Sequence, residues 1–428
     1  MKNTRTRALL VALAAGLLLI LAGTAAGAKP VTIEYWQYYY ESKVKLVDEL
    51  IREFEAKNPG IKVEHKTFPY EQFNQKVAIA IPTGKGPDVV NLYYGWVPKY
   101  VDAGYLQPLP EDAFPKSVIE TDFLPMVEAV KLDGKYWGLP TAVRALALFW
   151  NKDHFKAEGL DPDKPPTTWE ELQDYAIRLT KRDKAGQLVQ SGYAWNHDGQ
   201  DNHVFVQVLL RQWGVEPYSA DNRKVLWNSN PGGYEAFKWW TDLAAKHKVG
   251  EPRFMGDYRT AFITGKASIM IDGSFALGTL ASKAKDINWG VTVLPVRAAN
   301  PKVKANFASF WLHGLTVNAT GEKKAAAEKW LAYLTSSQVM TRWLKDVGEL
   351  PARTALANDK ELQRDPIYGP FLAGLTYARA TFFIDETEER QAIIDGANEV
   401  LLRGTDPKIA LDNMVRKQQA IRDAYFGQ

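Results

Sequence analysis

The chain contains no cysteine. Thiolate metal sites, thiol nucleophiles and disulfides are therefore excluded, and an ordinary hydrophobic core has to hold the fold. The lipobox cysteine that would tether an exported protein to a membrane is missing as well. Only six histidines occur, with no H-E-x-x-H pair, and His197 and His203 are six apart, which does not align on a helix face. No Walker A loop and no G-x-S-x-G elbow is present. Beyond the first 28 residues, no apolar run reaches membrane-spanning length without a charge or a proline. Excess charge is lacking too. The formal balance is +3, and Lys2, Arg5 and Arg7 at the N-terminus account for all of it. A nucleic-acid or anionic-membrane role has little support.

Those three basic residues precede an apolar run from Ala8 to Ala22 and a small-residue stretch in which Ala26 and Ala28 match a secretory cleavage site. Residues 1–28 read as a signal peptide cleaved near Ala28, with export to the periplasm as a free protein. Roughly 400 residues remain, more than one core holds, which implies two lobes. They carry 14 Trp, 19 Tyr and 18 Phe, a ring-rich composition suited to solutes with apolar faces and many hydroxyls.

Val31–Trp36 reads as a strand and Val44, Val47, Leu50, Ile51 and Phe54 as one helix face, with Ser42 as its cap and Asn58-Pro59-Gly60 as its stop. Ile61–His65 alternates as a second strand. This strand–helix–strand opening predicts α/β layers with a largely parallel sheet. Further strands are expected at 88–92, 146–150, 267–271 and 289–295. Thr168 and Glu171 form a capping box for a helix through Leu179. From Lys323 onward the chain reads as mainly helical, with breaks near Gly348–Pro351 and Gly404–Pro407.

Several blocks occur in a familiar order: Gly84-Lys85-Gly86-Pro87-Asp88-Val89-Val90, Tyr100–Leu109, Asp133–Pro140, Trp150-Asn151-Lys152-Asp153, Pro165–Leu172 and Phe262–Ala267. In this arrangement the chain resembles the extracellular solute-binding proteins of sugar ABC importers, the family that includes maltose-binding protein, over residues 31–425. The resemblance implies a two-lobed α/β periplasmic-binding fold, with two open sheets flanked by helices, joined by hinge strands, and a ligand cleft between them. It places crossings near Ala142, Ala308–Phe310 and Gly348–Leu350. The expected lobes are 29–142 plus 311–347 and 143–310 plus 348–428. It implies a monomer that binds a carbohydrate, hands it to inner-membrane ABC permease subunits and performs no chemistry, without cofactor or metal.

Ligands of open α/β sheets sit beyond the carboxyl ends of strands. That rule selects Gln37, Tyr38 and Tyr39 after the first strand, and Tyr93, Tyr94 and Trp96 after Leu92. The resemblance adds Arg144 after the first crossing, where the maltose-binding member has a carboxylate. An arginine here suits an anionic derivative such as glycerol phosphate or a uronate, and equally allows a neutral sugar or a pairing with Asp198. It also adds Trp195, Asn196 and Asp198 from the second lobe, and Phe275 in place of a stacking tryptophan. Trp311, His313 and Arg353 follow from the remaining crossings. Two other functions compete. A secreted glycoside hydrolase needs a positioned carboxyl pair, and a ferric-ion binder would use the Tyr38-Tyr39-Tyr40 and Tyr93-Tyr94 clusters as phenolate ligands.

Overall fold

The computed structural model describes residues 29–427; the leader expected over 1–28 lies outside the described residues. Strand β1 (Val31–Tyr38) is rich in β-branched and aromatic residues and buries Ile33 and Tyr35 fully. Helix α1 (Glu41–Lys57) follows, laying Leu46, Val47, Leu50, Ile51 and Phe54 onto the sheet. Ser42 lies inside this helix, and Tyr40 at its N-cap makes no side-chain capping bond. The helix starts earlier than a serine cap would require, with Glu41 meeting the positive end of its dipole.

Strand β2 (Ile61–Phe68) runs parallel to β1 in unbroken register, Val31 opposite Ile61 through Tyr38 opposite Phe68. Helix α2 (Tyr70–Ala80) leads on to β3 (Val89–Tyr93), also parallel to β1. These three strands form the sheet of the first lobe.

The long strand β4 (Leu139–Asn151) leaves that lobe and enters the next. Twelve of its thirteen residues are buried, and Arg144 is the exception. Helix α3 (Trp169–Leu179) carries the expected capping box, with Thr168 accepting from the Glu171 backbone and Glu171 reaching back. Strand β5 (Leu188–Tyr193) lies close to α3. A side chain at Gly192 would place its Cβ 1.8 Å from the Ala176 carbonyl oxygen, so only glycine permits this approach. Helix α4 (Pro231–Ala245), β6 (Ala267–Gly273) and β7 (Trp289–Thr292) complete the second sheet.

Strand β8 (Asn306–Thr316) returns to the first lobe. The hydrogen-bonded order runs β2-β1-β3-β8-β4-β6-β5, so β8 and β4 stitch the two half-sheets together. The sheet is mixed, not largely parallel. β1 pairs parallel with β2 and β3, and β5 with β6, but β8 is antiparallel to β3 and β4, and β4 is antiparallel to β6 and β7. The cause is the shuttling chain: a strand that leaves one lobe and a strand that comes back must run in opposite directions where they meet. Strand β7 also stops at Thr292, short of Pro295, which has no N–H to donate to a ladder.

Helices α5 (Gly321–Leu334) and α6 (Ser337–Val347) pack on β1 and α1, and a two-residue strand, Leu350–Pro351, pairs with β4 at Val143 and Ala142. Helices α7 (Glu386–Arg403) and α8 (Pro407–Phe426) pack on α4. The first core gathers Phe54, Tyr35 and Trp330, with ring centroids 5.1 and 5.9 Å apart about Trp330. The second gathers Trp169, Trp195, Phe205 and Trp240. Burial of each such side chain contributes about 1.5–3 kcal/mol or more. No helix among the described residues is long and apolar enough to cross a membrane.

Candidate functional site

A cavity of about 300 Å³ lies between the lobes, at the carboxyl ends of β1, β3 and β6. The first lobe contributes Tyr38, Tyr40, Lys43, Tyr70 and Tyr93. The connecting strands contribute Arg144, Phe307, Ser309 and Trp311, and Arg144 lies directly opposite Ser309 in the β4–β8 ladder. The second lobe contributes Gln200, His203, Arg259, Phe275 and Arg390.

Trp311 anchors an aromatic wall. Its ring centroid lies 4.2 Å from that of Tyr38 and 5.8 Å from that of Tyr93, and Trp96 buttresses it edge-on at 5.3 Å. Such rings offer flat apolar faces to a sugar ring, while their hydroxyl and indole N–H groups bond hydroxyls.

Below this wall sits a buried charge cluster. Glu349 Oε1 accepts from Lys43 Nζ at 2.9 Å and from Arg144 Nε at 2.7 Å, and Glu349 Oε2 accepts from Trp343 Nε1 at 2.8 Å. Tyr38 Oη accepts from Lys43 Nζ at 2.7 Å and from Arg144 Nη2 at 3.3 Å. Gly348, left-handed at φ 85°, caps α6 and turns the chain so that Glu349 can enter the cluster. Burial alone would raise the Glu349 carboxyl, but Arg144 and then Lys43 overcome it and hold the group at about 2. Burial lowers the Lys43 ammonium to about 8 against the opposing pull of Glu349. Burial pushes the Tyr38 phenol up to about 12 despite Arg144.

On the facing side, Arg259 Nε donates to Asp272 Oδ2 at 2.7 Å, and Arg390 pairs with Glu386 one helical turn away. His203 stacks on Phe307 with centroids 3.9 Å apart, and burial keeps its imidazole well below its ordinary range and therefore neutral.

Of the fourteen residues singled out from the sequence, five meet at this cavity: Tyr38, Tyr93, Arg144, Phe275 and Trp311. Trp96 stands behind the wall and faces an outer groove. Gln37 is buried beside Tyr35, Tyr94 stacks on Phe310 inside the core, and Tyr39 points outward at 55 % exposure. Trp195 packs on Trp240 with its indole N–H bonded to the Trp240 carbonyl, and the Asn196 backbone donates to the buried Asp201 carboxylate. Asp198 pairs with Arg253 at 3.2 Å and Arg144 pairs with Glu349, so of the alternatives for Arg144 the pairing with Asp198 is not formed. The reason is distance along the fold, since β4 delivers Arg144 beside the third crossing. His313 is enclosed between Tyr35 Oη and Thr141 Oγ1, and Arg353 bonds Asp122 and the Thr335 carbonyl beside the hinge.

Lys43, Tyr70, Gln200, His203, Arg259, Phe307, Ser309 and Arg390 were not anticipated, and Tyr40 only within the tyrosine cluster of the ferric-ion alternative. Lys43 did carry a signal, because it falls on the apolar face of α1 in step with Leu46, Val47 and Leu50. Arg390 and Glu386 form an i, i+4 pair, which alone reads as a solvated surface. Arg259 has no local signal, since its partner Asp272 lies on another element.

No carboxylate lines the cavity among the described residues. Burial raises the Tyr38 and Tyr93 phenols above their ordinary range.

The sequence profile of the bacterial extracellular solute-binding proteins matches residues 49–370, and the chain belongs to that family. It is 25 % identical over 399 residues to the maltotriose-binding protein of Pyrococcus abyssi, covering 90 % of this chain and 80 % of that one. It is 28 % identical over 346 residues to the sn-glycerol-3-phosphate-binding periplasmic protein of Shigella dysenteriae, covering 76 % and 75 %. An ABC-transporter solute-binding protein of Thermotoga lettingae, crystallised with α-D-tagatose, superposes with a TM-score of 0.80 at 25 % identity, covering 92 % of this chain and all of that one.

Proposed function

We propose that this member of the extracellular solute-binding family is the carbohydrate-binding component of an ABC importer. It captures an oligo- or disaccharide, or a sugar derivative, outside the inner membrane and delivers it unaltered to a permease. The observation that carries this reading is one cavity walled from two lobes, with Tyr38, Tyr93 and Trp311 on one side and Phe275 and Arg259 on the other. A solute that touches both walls stabilises the closed arrangement more than the open one, and closure is then the signal a permease reads.

The names of relatives support a hydroxyl-rich solute, since two specify carbohydrates, maltotriose and α-D-tagatose, and a third the polyol phosphate sn-glycerol 3-phosphate. They differ in the charge of the solute. We take the lobes as 29–142 plus 311–347 and 143–310 plus 348–428, acting in a monomer exported to the periplasm after loss of residues 1–28.

Native mass spectrometry of co-purifying solute, followed by thermal-shift measurement against a carbohydrate panel, tests the proposal. A true ligand at a hundredfold excess over Kd adds about 2.7 kcal/mol of stability. A flat response to every carbohydrate would refute it.

A further inference from the structure

The cavity is electrically lopsided in a way that sugar binding alone does not require. Four cationic side chains reach it, Lys43, Arg144, Arg259 and Arg390, and among the described residues no carboxylate does. Their counterions stand behind them. Glu349 serves both Lys43 and Arg144, Asp272 serves Arg259 and Glu386 serves Arg390. Four positive charges against three negative leave one uncompensated in a largely buried shell.

The carboxylates also fix which guanidinium edges stay available. Arg144 and Arg259 each spend Nε and Nη2 on protein partners, and Arg390 spends Nη2. Among the described residues, Nη1 of all three has no protein acceptor, and Arg390 Nε is buried without one. Arg144 and Arg259 also share one platform, with guanidinium carbons 4.7 and 5.1 Å from the Phe275 ring centroid. These forks are held in place before any solute arrives.

Sugar hydroxyls both donate and accept, so a neutral sugar needs acceptors as well as donors around it. A guanidinium only donates, and an ionised oxyanion only accepts. The set of free N–H groups therefore matches an oxyanion better than a hydroxyl array, and charge-assisted bonds of this type are the strong ones.

We infer that the solute is an acidic carbohydrate whose oxyanion, a phosphate ester or a carboxylate, is gripped by Arg144, Arg259 and Arg390 while its hydroxylated part lies on the Tyr38–Trp311 wall. This rests on the reading of the cavity as a carbohydrate site.

Titration calorimetry with matched trios tests it: glucose, glucuronate and glucose 6-phosphate; glycerol, glycerate and sn-glycerol 3-phosphate; with maltotriose as a neutral oligosaccharide. The acidic members of at least one trio bind tenfold or more tighter than their neutral parent, and comparison of its two acidic arms identifies the oxyanion. Arg390→Gln, near the rim, weakens the acidic ligand roughly ten- to hundredfold, and Arg390→Lys weakens it less. The ligand comparison needs no variant, so it stands even if Arg259→Gln fails to fold around an orphaned Asp272. A neutral parent or maltotriose binding as tightly as every acidic probe overturns the inference and leaves the proposed function intact. Failure of all the carbohydrates, acidic and neutral alike, overturns both.

Discussion

Replacing Glu349 by Gln tests the electrostatic frame beneath the cavity. The carboxylate is only 4 % exposed and, among the described residues, is the sole counterion of two cations, the buried Lys43 and the half-buried Arg144. An amide in its place would keep the shape and the Trp343 contact but leave both cations unpaired. Breaking a buried pair from one side costs about 3–5 kcal/mol, and that is the expected loss in urea unfolding at pH 7.

The pH dependence carries its own signs. Glu349 titrates at about 2 in the folded protein and at about 4.3 in an unfolded chain. Its contribution, about 3 kcal/mol, is thus complete above pH 4.3 and fades as pH falls through 2. The gap between wild type and Glu349→Gln should narrow on acidification from pH 5 towards pH 2. Lys43 works the other way. It titrates at about 8 when folded and at about 10.4 when unfolded, so the unfolded chain binds more protons between those values. Stability from this group therefore rises with pH across that window. Because Glu349 raises the Lys43 value, the variant should begin to recover below pH 8. Adding Lys43→Met to Glu349→Gln should restore at least half of the loss. A loss under about 1 kcal/mol at pH 7, or a loss unmoved by Lys43→Met, would refute the reasoning.

Three further outcomes are expected. Burial and then Lys43 hold the His313 imidazole down to about 3, so its NMR ring-proton shift should stay flat from pH 8 to pH 5, and a titration there would contradict the enclosed site. Gly192→Ala drives a Cβ into the Ala176 carbonyl and should lower stability by about 1–3 kcal/mol in urea unfolding, with an unchanged midpoint as the contrary result. The Lys99–Asp385 bridge at 2.5 Å is largely exposed on its lysine side, so Lys99→Ala should change ligand affinity by less than about fivefold in calorimetry, and a larger change would make it a closing latch.

What the sequence made legible was mostly local. The Thr168–Glu171 capping box and the β-branched and aromatic run of β1 depend on neighbours a few residues apart, and both appear as read. Tyr38 and Tyr93 could be chosen because strand ends face ligands in α/β sheets, a rule that needs only the strand boundaries. The same rule selected Gln37 and Tyr94, yet Gln37 precedes Tyr38 in β1 and so points to the opposite, core face, while Tyr94 lies in the turn just past β3 and stacks on Phe310. Trp195 and Asn196 came from the resemblance, but the Trp195 indole is bonded to the Trp240 carbonyl and the Asn196 backbone to the buried Asp201, which turns both inward. The direction of β4 and β8, and hence the mixed sheet, is set by how the lobes share strands, which no local pattern records. Arg259 was illegible for the same reason: its meaning comes from Asp272, on another element.

The central claim is that two lobes close on a carbohydrate between them. The absence of native cysteine makes Lys45→Cys and Ser282→Cys, on opposite sides of a groove between the lobes, unique sites for spin labels. Pulsed dipolar spectroscopy should show this distance shortening and its distribution narrowing as the carbohydrate with the largest thermal shift is added, with the same midpoint as binding. An interlobe distance unchanged at saturation would contradict the account.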